Sequence, residues 1–285
     1  MLTMNLTLTD SVLDFVKAEV SRLLPDVKSS HRCEAIGRGL GFGTYAAARA
    51  AARTTISDIA TVNASAFISY LAEHGFVTSS LPIFHATAKI VLKDVAERVP
   101  KLTIWGMGVG RPQITTNGKR ETGAEFSKRF REARSELTSD YAVRPFLLSL
   151  ALLERVTATK TVRAGTGSYW LKHIAENYIC RYPDGKELGP HYVPNGAFIA
   201  AAVHAGFRFK SSVDEYGYEN ISVRFNMSRP RLIDLDCEIR PNDAYAEDRR
   251  RKQALREEKL RQRQDYLAYR ELIRSYRNGG SLQTV

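Results

Sequence analysis

One stretch near the end of the chain, 243–277, contains neither glycine nor proline. It is dominated by Arg, Glu, Gln, Leu and Ala, all of which favour a helix. The sequence therefore predicts a long helical arm. Its middle, 247–264, has too few apolar residues to bury a face and is expected to lie in water. We expect the end of the arm to dock, because apolar residues recur there at helical spacing, namely Tyr269, Leu272, Ile273 and Tyr276.

The rest of the chain predicts a predominantly helical α+β fold. Hydrophobic periodicity, together with glycines and prolines between the periodic stretches, indicates where helices begin and end. The expected helices cover 10–24, 29–38, 44–53, 58–73, 84–98, 124–134, 144–156, 168–180 and 195–205. Segment 101–120 has a strand-like start followed by glycines and a Thr-Thr-Asn-Gly turn, which predicts either a hairpin or a mobile loop. A small β-hairpin is expected between Phe207 and Phe225. The expected helix caps are Thr9 or Asp10, Ser29 or Ser30, Thr44, Ser168 and Asn195.

The positive charge of the chain is confined to two segments. The formal net charge is +11. Residues 101–163 carry twelve Lys or Arg against six Asp or Glu, and residues 240–285 carry twelve against seven. Residues 1–100 and 164–239 are close to neutral, with ten against nine and eight against nine. An excess confined in this way favours contact with a polyanion, although solvated helix faces would produce the same pattern.

These charge boundaries and the predicted elements together divide the chain into four parts. Residues 1–100 are expected to form a helical domain, and 101–163 a basic connecting region with helices. Residues 164–239 are expected to form a small α+β domain, and 240–285 the basic helical arm. No signal peptide or membrane span is evident, and the three cysteines form no close pair, so we expect a cytoplasmic protein.

The segment 34–53 resembles a helix-turn-helix motif. Gly37 stands where that motif needs a small residue at the helix crossing, and Gly41 lies at the turn. The resemblance implies that Ala47 and Ala50 face inward.

The second helix of this segment is mostly alanine. It offers only three side chains that could reach phosphates or bases, namely Arg49, Arg53 and Tyr45. Sequence-specific readout is therefore not expected.

No recognisable catalytic constellation occurs in the sequence. The glycine-rich stretches 37–43 and 106–110 do not match a phosphate-binding loop and are interpreted as turns. His173 and Glu176 lie one helical turn apart and form the most enzyme-like pair, but the chain lacks the spacing of known metal or nucleophile motifs. We therefore predict a protein without catalytic residues, a metal site or a cofactor.

Two stretches of the chain are similar to each other. The segment 62–76 aligns without gaps to 193–207, with six identities at a constant offset of 131 residues. Each is typical of a capped helix that ends at a Gly–Phe pair. A duplicated helix unit and a chance similarity both remain open.

Two longer stretches resemble accessory proteins of bacterial plasmids and phages that have no assigned activity. The first runs from the Ser-Ser-His at 29–31 to the Tyr-Ala-Ala at 45–47, and the second from the Gly-Ser-Tyr-Trp at 167–170 to the Ala-Ala-Ala at 200–202. The resemblance implies a mobile-element origin and a partner in DNA maintenance, transfer or defence evasion. It assigns no catalytic residue.

The sequence thus predicts a non-enzymatic nucleic-acid-binding protein that contacts mainly backbone phosphates, DNA being the expected partner. The alternative is an interaction or inhibitor protein that docks basic helices on an acidic or nucleic-acid-bound protein complex. A metal-dependent enzyme built on His173 and Glu176 ranks third. The predicted nucleic-acid-binding residues are Arg49, Arg53, Arg111, Lys119, Arg120, Lys128, Arg129, Arg131, Arg249, Arg250, Arg251 and Lys252.

Overall fold

A computed structural model describes residues 2–54, 59–114 and 117–277. The chain divides into a larger unit, Met1–Leu232, and a smaller unit, Ile233–Val285. Helices dominate both units, and the strands form small antiparallel pairs. The predicted predominantly helical α+β fold is therefore confirmed. Among the helices of the described residues, none combines the length and the hydropathy that a membrane span requires.

Eleven helices lie within the described residues. They are α1 Asp10–Leu23, α2 Ser29–Gly39, α3 Tyr45–Ala52, α4 Ala64–Glu73, α5 Leu81–Arg98, α6 Gly123–Leu137, α7 Asp140–Leu153, α8 Ser168–Glu176, α9 Asn195–His204, α10 Arg229–Ile239 and α11 Ala244–Arg277. The strands are β1 Asn5–Thr7, β2 Ile59–Thr61, β3 Leu102–Thr103, β4 Gly106–Met107, β5 Cys180–Arg181, β6 Glu187–Gly189, β7 Phe209–Lys210 and β8 Arg224–Phe225. The antiparallel pairs are β1–β2, β3–β4, β5–β6 and β7–β8.

Helix α9 lies at the centre of the larger unit. It is apolar on all sides, and every residue from Asn195 to Ala202 is buried. Helices α5 and α7 pack against it, and Phe84, Phe146 and Phe198 are almost completely buried. The charge pattern of the sequence assigns these three helices to three different segments, yet they share one hydrophobic core.

Helices α2 and α3 form the helix pair expected from segment 34–53. A Cβ atom on Gly37 would lie 2.5 Å from the backbone nitrogen of Tyr45, so the two helices could not meet as closely with a larger residue. The predicted orientation of the second helix is wrong. Ala47 and Ala50 are exposed, because the buried face of α3 consists of Ala48 and Ala52.

The predicted helix 58–73 is too long at its start. Residues Ile59–Thr61 form β2 instead, since they pair with β1. The helix begins at Ala64, and the side chain of Asn63 accepts a hydrogen bond from the backbone N–H of Ala66 at 3.0 Å. Asp58 lies outside the described residues, as do Thr115 and Thr116 of the predicted Thr-Thr-Asn-Gly turn.

Several predicted caps are confirmed and others are wrong. Thr9 and Thr44 accept the expected hydrogen bonds from the first turns of α1 and α3. Ser29 is the first residue of α2 rather than its cap, and Lys28 takes the cap position without a side-chain bond. Ser168 is likewise the first residue of α8 rather than its cap.

Asn195 also does not cap its helix. Its side-chain amide donates hydrogen bonds to the backbone carbonyls of Trp105, at 3.3 Å, and Ile221, at 2.8 Å. It therefore ties the start of α9 to the β3–β4 turn and to the loop before β8. Helix α8 is shorter than predicted, since it ends at Glu176 and Cys180 belongs to β5.

The two similar stretches end their helices in the same way. Gly75 and Gly206 both adopt positive φ, +81° and +82°. The N–H groups of the phenylalanines that follow them, Phe76 and Phe207, each bond at 2.9 Å to a carbonyl in the last turn of the preceding helix. The helix starts differ, because the side chain of Asn63 caps α4 whereas a proline precedes α9.

The predicted strands and the predicted arm are present. The pair β3–β4 lies within 101–120, as expected. Phe209 pairs with Phe225 in the β7–β8 pair, which forms the predicted hairpin. Helix α11 runs unbroken over 34 residues. The predicted docking of its end is not seen, because Tyr269 and Tyr276 are 59% and 51% exposed.

Candidate nucleic-acid interface

The predicted basic segment 101–163 uses many of its cations to hold the fold together. Arg111 pairs with Asp214 at 2.6 Å and with Glu215 at 3.2 Å. Lys101 pairs with Glu219 in the same loop. These bonds fasten the start of the segment to the loop between β7 and β8, and they neutralise the acids of that loop.

Arg129 is the most enclosed of the predicted binding residues in this segment. Its guanidinium donates to both carboxylate oxygens of Glu121, at 2.7 and 2.8 Å, and to the backbone carbonyl of Val109 at 2.8 Å. It also lies 5.5 Å from the ring of Trp105 and 5.2 Å from that of Phe126. The hydrogen bonds from Arg129 lower the pKa of Glu121 to about 2. Arg129 therefore organises the connection between β4 and α6.

The other predicted residues of this segment lie at the surface. Arg120 donates to the hydroxyl of Tyr218 at 3.3 Å, and Lys128 lies 3.8 Å from Glu132. The remaining two, Lys119 and Arg131, are exposed. The structure scatters these four cations over the loop before α6 and over α6 itself.

The two arginines of the helix-turn-helix-like segment point back to α1. Arg49 pairs with Asp14 at 2.6 Å, and Arg53 with Asp10 at 3.1 Å. Arg49 also lies 5.7 Å from the ring of Tyr45. Both would have to leave these acids before they could contact a phosphate.

The four predicted binding residues of the arm, 249–252, form its basic cluster, and three of them bond to other groups of the chain. Arg249 pairs with Asp234 at 2.9 Å, and Lys252 with Asp248 at 2.6 Å. Arg250 donates to a backbone carbonyl, that of Pro241, at 2.6 Å. The fourth member of the cluster, Arg251, is exposed.

A second group of cations, which the sequence did not predict, converges around the β7–β8 pair. All of its members are exposed. Among the residues that the structure describes, no carboxylate forms an ion pair with any of them. We call this group the strand patch. It consists of Lys160, Arg163, Arg208, Lys210, Arg224 and Arg229.

Backbone pairing forms the centre of the strand patch. Lys210 and Arg224 are register partners in the β7–β8 pair. The N–H of Arg163 bonds to the carbonyl of Phe225, the residue after Arg224, at 3.1 Å. Cations from two distant stretches of chain therefore become neighbours.

Further contacts complete the strand patch. Arg208 donates to the backbone carbonyl of Lys160. A Cβ atom on Gly165 would lie 3.0 Å from Nε of Arg229, so this arginine lies against the loop 163–167. The loop before α8 and the β7–β8 pair thus share one basic surface.

A cavity of about 350 Å³ opens within the strand patch. Two cations and four small polar side chains line it, namely Lys210, Arg224, Ser211, Ser212, Ser222 and Asn220. Hydroxyl and amide groups together with an ammonium and a guanidinium can bond several oxygens of one phosphate group. Lys210 and Arg224 therefore place two positive charges at a cavity that also has hydroxyl groups.

Charge counts along the sequence missed the strand patch because four of its six cations lie in segment 164–239, where the count is neutral. The acids of the β7–β8 loop cancel its cations in a count, yet in the structure three of these acids pair with Arg111 and Lys101. One local signal was available. Arg208 and Lys210 are two residues apart, a spacing that places side chains on one face of a strand.

His173 and Glu176 form a closed network. Nδ1 of His173 lies 2.5 Å from Glu176, and Nζ of Lys172 lies 2.7 Å from the same carboxylate. The N–H of Val193 adds a bond at 3.3 Å. Burial opposes the ionisation of Glu176, but the hydrogen bonds from Lys172 and His173 outweigh it and lower the pKa of the carboxyl. The network ties α8 to the chain before α9.

A group of potential metal ligands, Glu19, His85 and Asp140, joins α1, α5 and α7. The ammonium of Lys89 already lies 3.1 Å from Glu19 and 2.7 Å from Asp140. Arg22 lies 2.8 Å from Glu19 and 3.0 Å from Asp140, so two cations of the chain balance the two carboxylates. Burial lowers the pKa of His85, which favours its neutral form. This arrangement suits a structural network between three helices.

No known family model matches the sequence, and neither the curated proteins nor the solved structures include a significant match to it.

Proposed function

We propose that this protein binds nucleic acid through backbone phosphates and that the strand patch is its contact surface. The observation that carries the proposal is a set of six exposed cations without acidic partners among the described residues, two of which, Lys210 and Arg224, line a cavity. Each cation that replaces a counterion on duplex DNA adds to affinity and to its salt dependence. Cations that already hold a carboxylate must first give up that bond, so they contribute less.

The proposed contact carries little sequence information. Phosphate contacts position a protein on nucleic acid, whereas base contacts specify a sequence. The strand patch consists of cations on a short hairpin and its adjoining loops, and α3 presents mainly alanine. We therefore expect similar affinity for unrelated duplexes.

The alternative partner is an acidic or nucleic-acid-bound protein complex. It would use the same exposed cations, but the serine and asparagine side chains of the cavity favour the several oxygens of a phosphate. The resemblance to plasmid and phage accessory proteins supports a role in a bacterial mobile element, within the cytoplasm. No catalytic role is part of this proposal.

The test is a salt titration of the full chain on two unrelated duplexes, followed by fluorescence anisotropy. In the double variant Lys210→Gln and Arg224→Gln, the slope of log affinity against log salt should flatten by about 0.9 for each phosphate that the variant no longer neutralises. Both duplexes should be affected alike.

The matched control removes two exposed cations from elsewhere on the larger unit, by Lys28→Gln and Lys186→Gln. It changes the net charge equally and should leave the slope nearly unchanged. Equal effects of the two double variants would show that net charge, and not the strand patch, determines binding. Absence of binding even at low salt would favour the protein partner instead.

A further inference from the structure

The last part of α11 presents an uncovered apolar stripe. Tyr266, Tyr269, Ile273 and Tyr276 follow one another at intervals of three, four and three residues, as in the a and d positions of a coiled coil. They are 59%, 59%, 38% and 51% exposed. This spacing would suit a second helix that lies along the stripe.

Two arginines beside the stripe have no acidic neighbour on their own helix. The residues three and four positions before and after Arg263 and Arg270 include no Asp or Glu. Pairs at those spacings are the ones that meet on one helix. Any acid that pairs with these arginines through a helical contact must therefore come from another helix.

Acidic residues that could pair with these arginines on a partner helix lie five positions before each arginine in the sequence. Glu258 precedes Arg263, and Asp265 precedes Arg270, by five positions each. In the heptad set by Tyr266, the acids take g positions and the arginines e positions. A g residue of one helix meets the following e residue of a parallel partner, and these contacts select partner and orientation.

We propose that α11 pairs in parallel with α11 of a second copy of this chain, over the region from Glu258 to Tyr276. In a parallel dimer each acid faces an arginine, which gives four favourable pairs. In an antiparallel dimer the g positions would face g and the e positions e, so that like charges would meet. The proposal does not depend on nucleic-acid binding.

The contact is confined to the end of the arm. Within the proposed region Lys259 occupies the a position and Gln262 the d position before Tyr266, so the apolar seam runs only from Tyr266 to Tyr276, and Lys252 at the preceding a position would place like charges together. The seam is therefore short, and the tyrosines are less favourable there than Ile or Leu. We expect a weak dimer whose population rises with protein concentration.

Sedimentation velocity of the full chain over about two decades of concentration tests the dimer. The wild-type chain should shift from monomer to dimer, and Ile273→Asp should remain monomeric throughout. Leu260→Asp is the matched control, because Leu260 is exposed but lies outside the a and d positions. It should dimerise like the wild type. A monomeric wild type, or a dimer that survives Ile273→Asp, overturns the proposal.

Charge exchange and crosslinking test the orientation. Arg263→Glu with Arg270→Glu should weaken the dimer, and adding Glu258→Arg with Asp265→Arg should restore it. Independently, Tyr276→Cys should form a disulfide between identical positions under mild oxidation, as identified by mass spectrometry. Failure of the charge exchange to restore the dimer, or absence of the crosslink in a dimeric sample, overturns the parallel pairing.

Discussion

Two basic regions of the larger unit use their cations differently. In the stretch 101–137, Lys101, Arg111 and Arg129 bond to carboxylates that position loops. In the strand patch the cations face water without acidic partners among the described residues. Three acids from the β7–β8 loop pair with cations of the first region, which leaves the second region positive. The number of basic residues in a segment therefore does not determine the field at its surface.

The largest effect is expected at Gly106 of β4, which lies close against the β7–β8 loop. This glycine has a φ of +132°, and a Cβ atom there would lie 2.0 Å from the carbonyl of Ile221. Gly106→Ala should destabilise the chain by about 4 kcal/mol or more, because alanine fits neither the backbone conformation nor the close approach. Chemical denaturation measures this change.

Gly217→Ala is the matched control for this substitution. Gly217 also has a positive φ, +82°, but a Cβ atom there would meet nothing within 4 Å. Its cost should be limited to the left-handed backbone, about 1–2 kcal/mol. If both substitutions cost the same, the close approach of Gly106 to Ile221 does not contribute to stability.

Single arginine substitutions should have different effects in the two regions, on stability in the first and on DNA binding in the second. Arg129→Ala should lower the free energy of unfolding by about 2 kcal/mol, because it removes several hydrogen bonds and the packing of two rings. It should leave affinity for DNA nearly unchanged. Arg163→Ala should alter stability by less than about 0.5 kcal/mol and weaken DNA binding. Unfolding and anisotropy measurements on the same samples check both results. Weaker DNA binding by Arg129→Ala, together with a loss of stability in Arg163→Ala, would contradict the different roles of the two regions.

A smaller effect is expected from the pH dependence of the first region. The pKa of Glu121 falls from 4.5 to about 2 in the folded chain. A lowered carboxyl pKa stabilises the fold above pH 4.5, and this contribution disappears as the pH falls from 4.5 towards 2. Glu121→Gln should therefore show a shallower decline of stability over that range. Identical pH profiles for the two proteins would argue against the Glu121–Arg129 bond.

Much of the fold could be predicted from local patterns. The arm lacks helix breakers, and α1 and α3 carry threonine caps before apolar periodic stretches, so these elements follow from neighbouring residues. The errors arose where distant partners decide the structure. Strand β2 forms because β1 pairs with it, and Asn195 bonds to two carbonyls from other segments rather than to its own helix.

The candidate site was less accessible to sequence reasoning for the same physical reason. Arg111 is separated from Asp214 by more than a hundred residues, as Lys101 is from Glu219. No count over neighbouring residues reveals which acids those cations neutralise. The alternation of basic residues on strand β7 and just before it was visible, but the approach of Arg163 depends on a backbone bond to β8.

Lysine footprinting tests the difference between the two regions most directly. The full chain is acetylated briefly with and without saturating duplex DNA, and each lysine is quantified by mass spectrometry. Our account predicts that Lys160 and Lys210 become far less reactive when DNA is bound, whereas Lys101 and Lys128 keep their reactivity. Protection of Lys101 and Lys128 with full reactivity at Lys160 and Lys210 would contradict it.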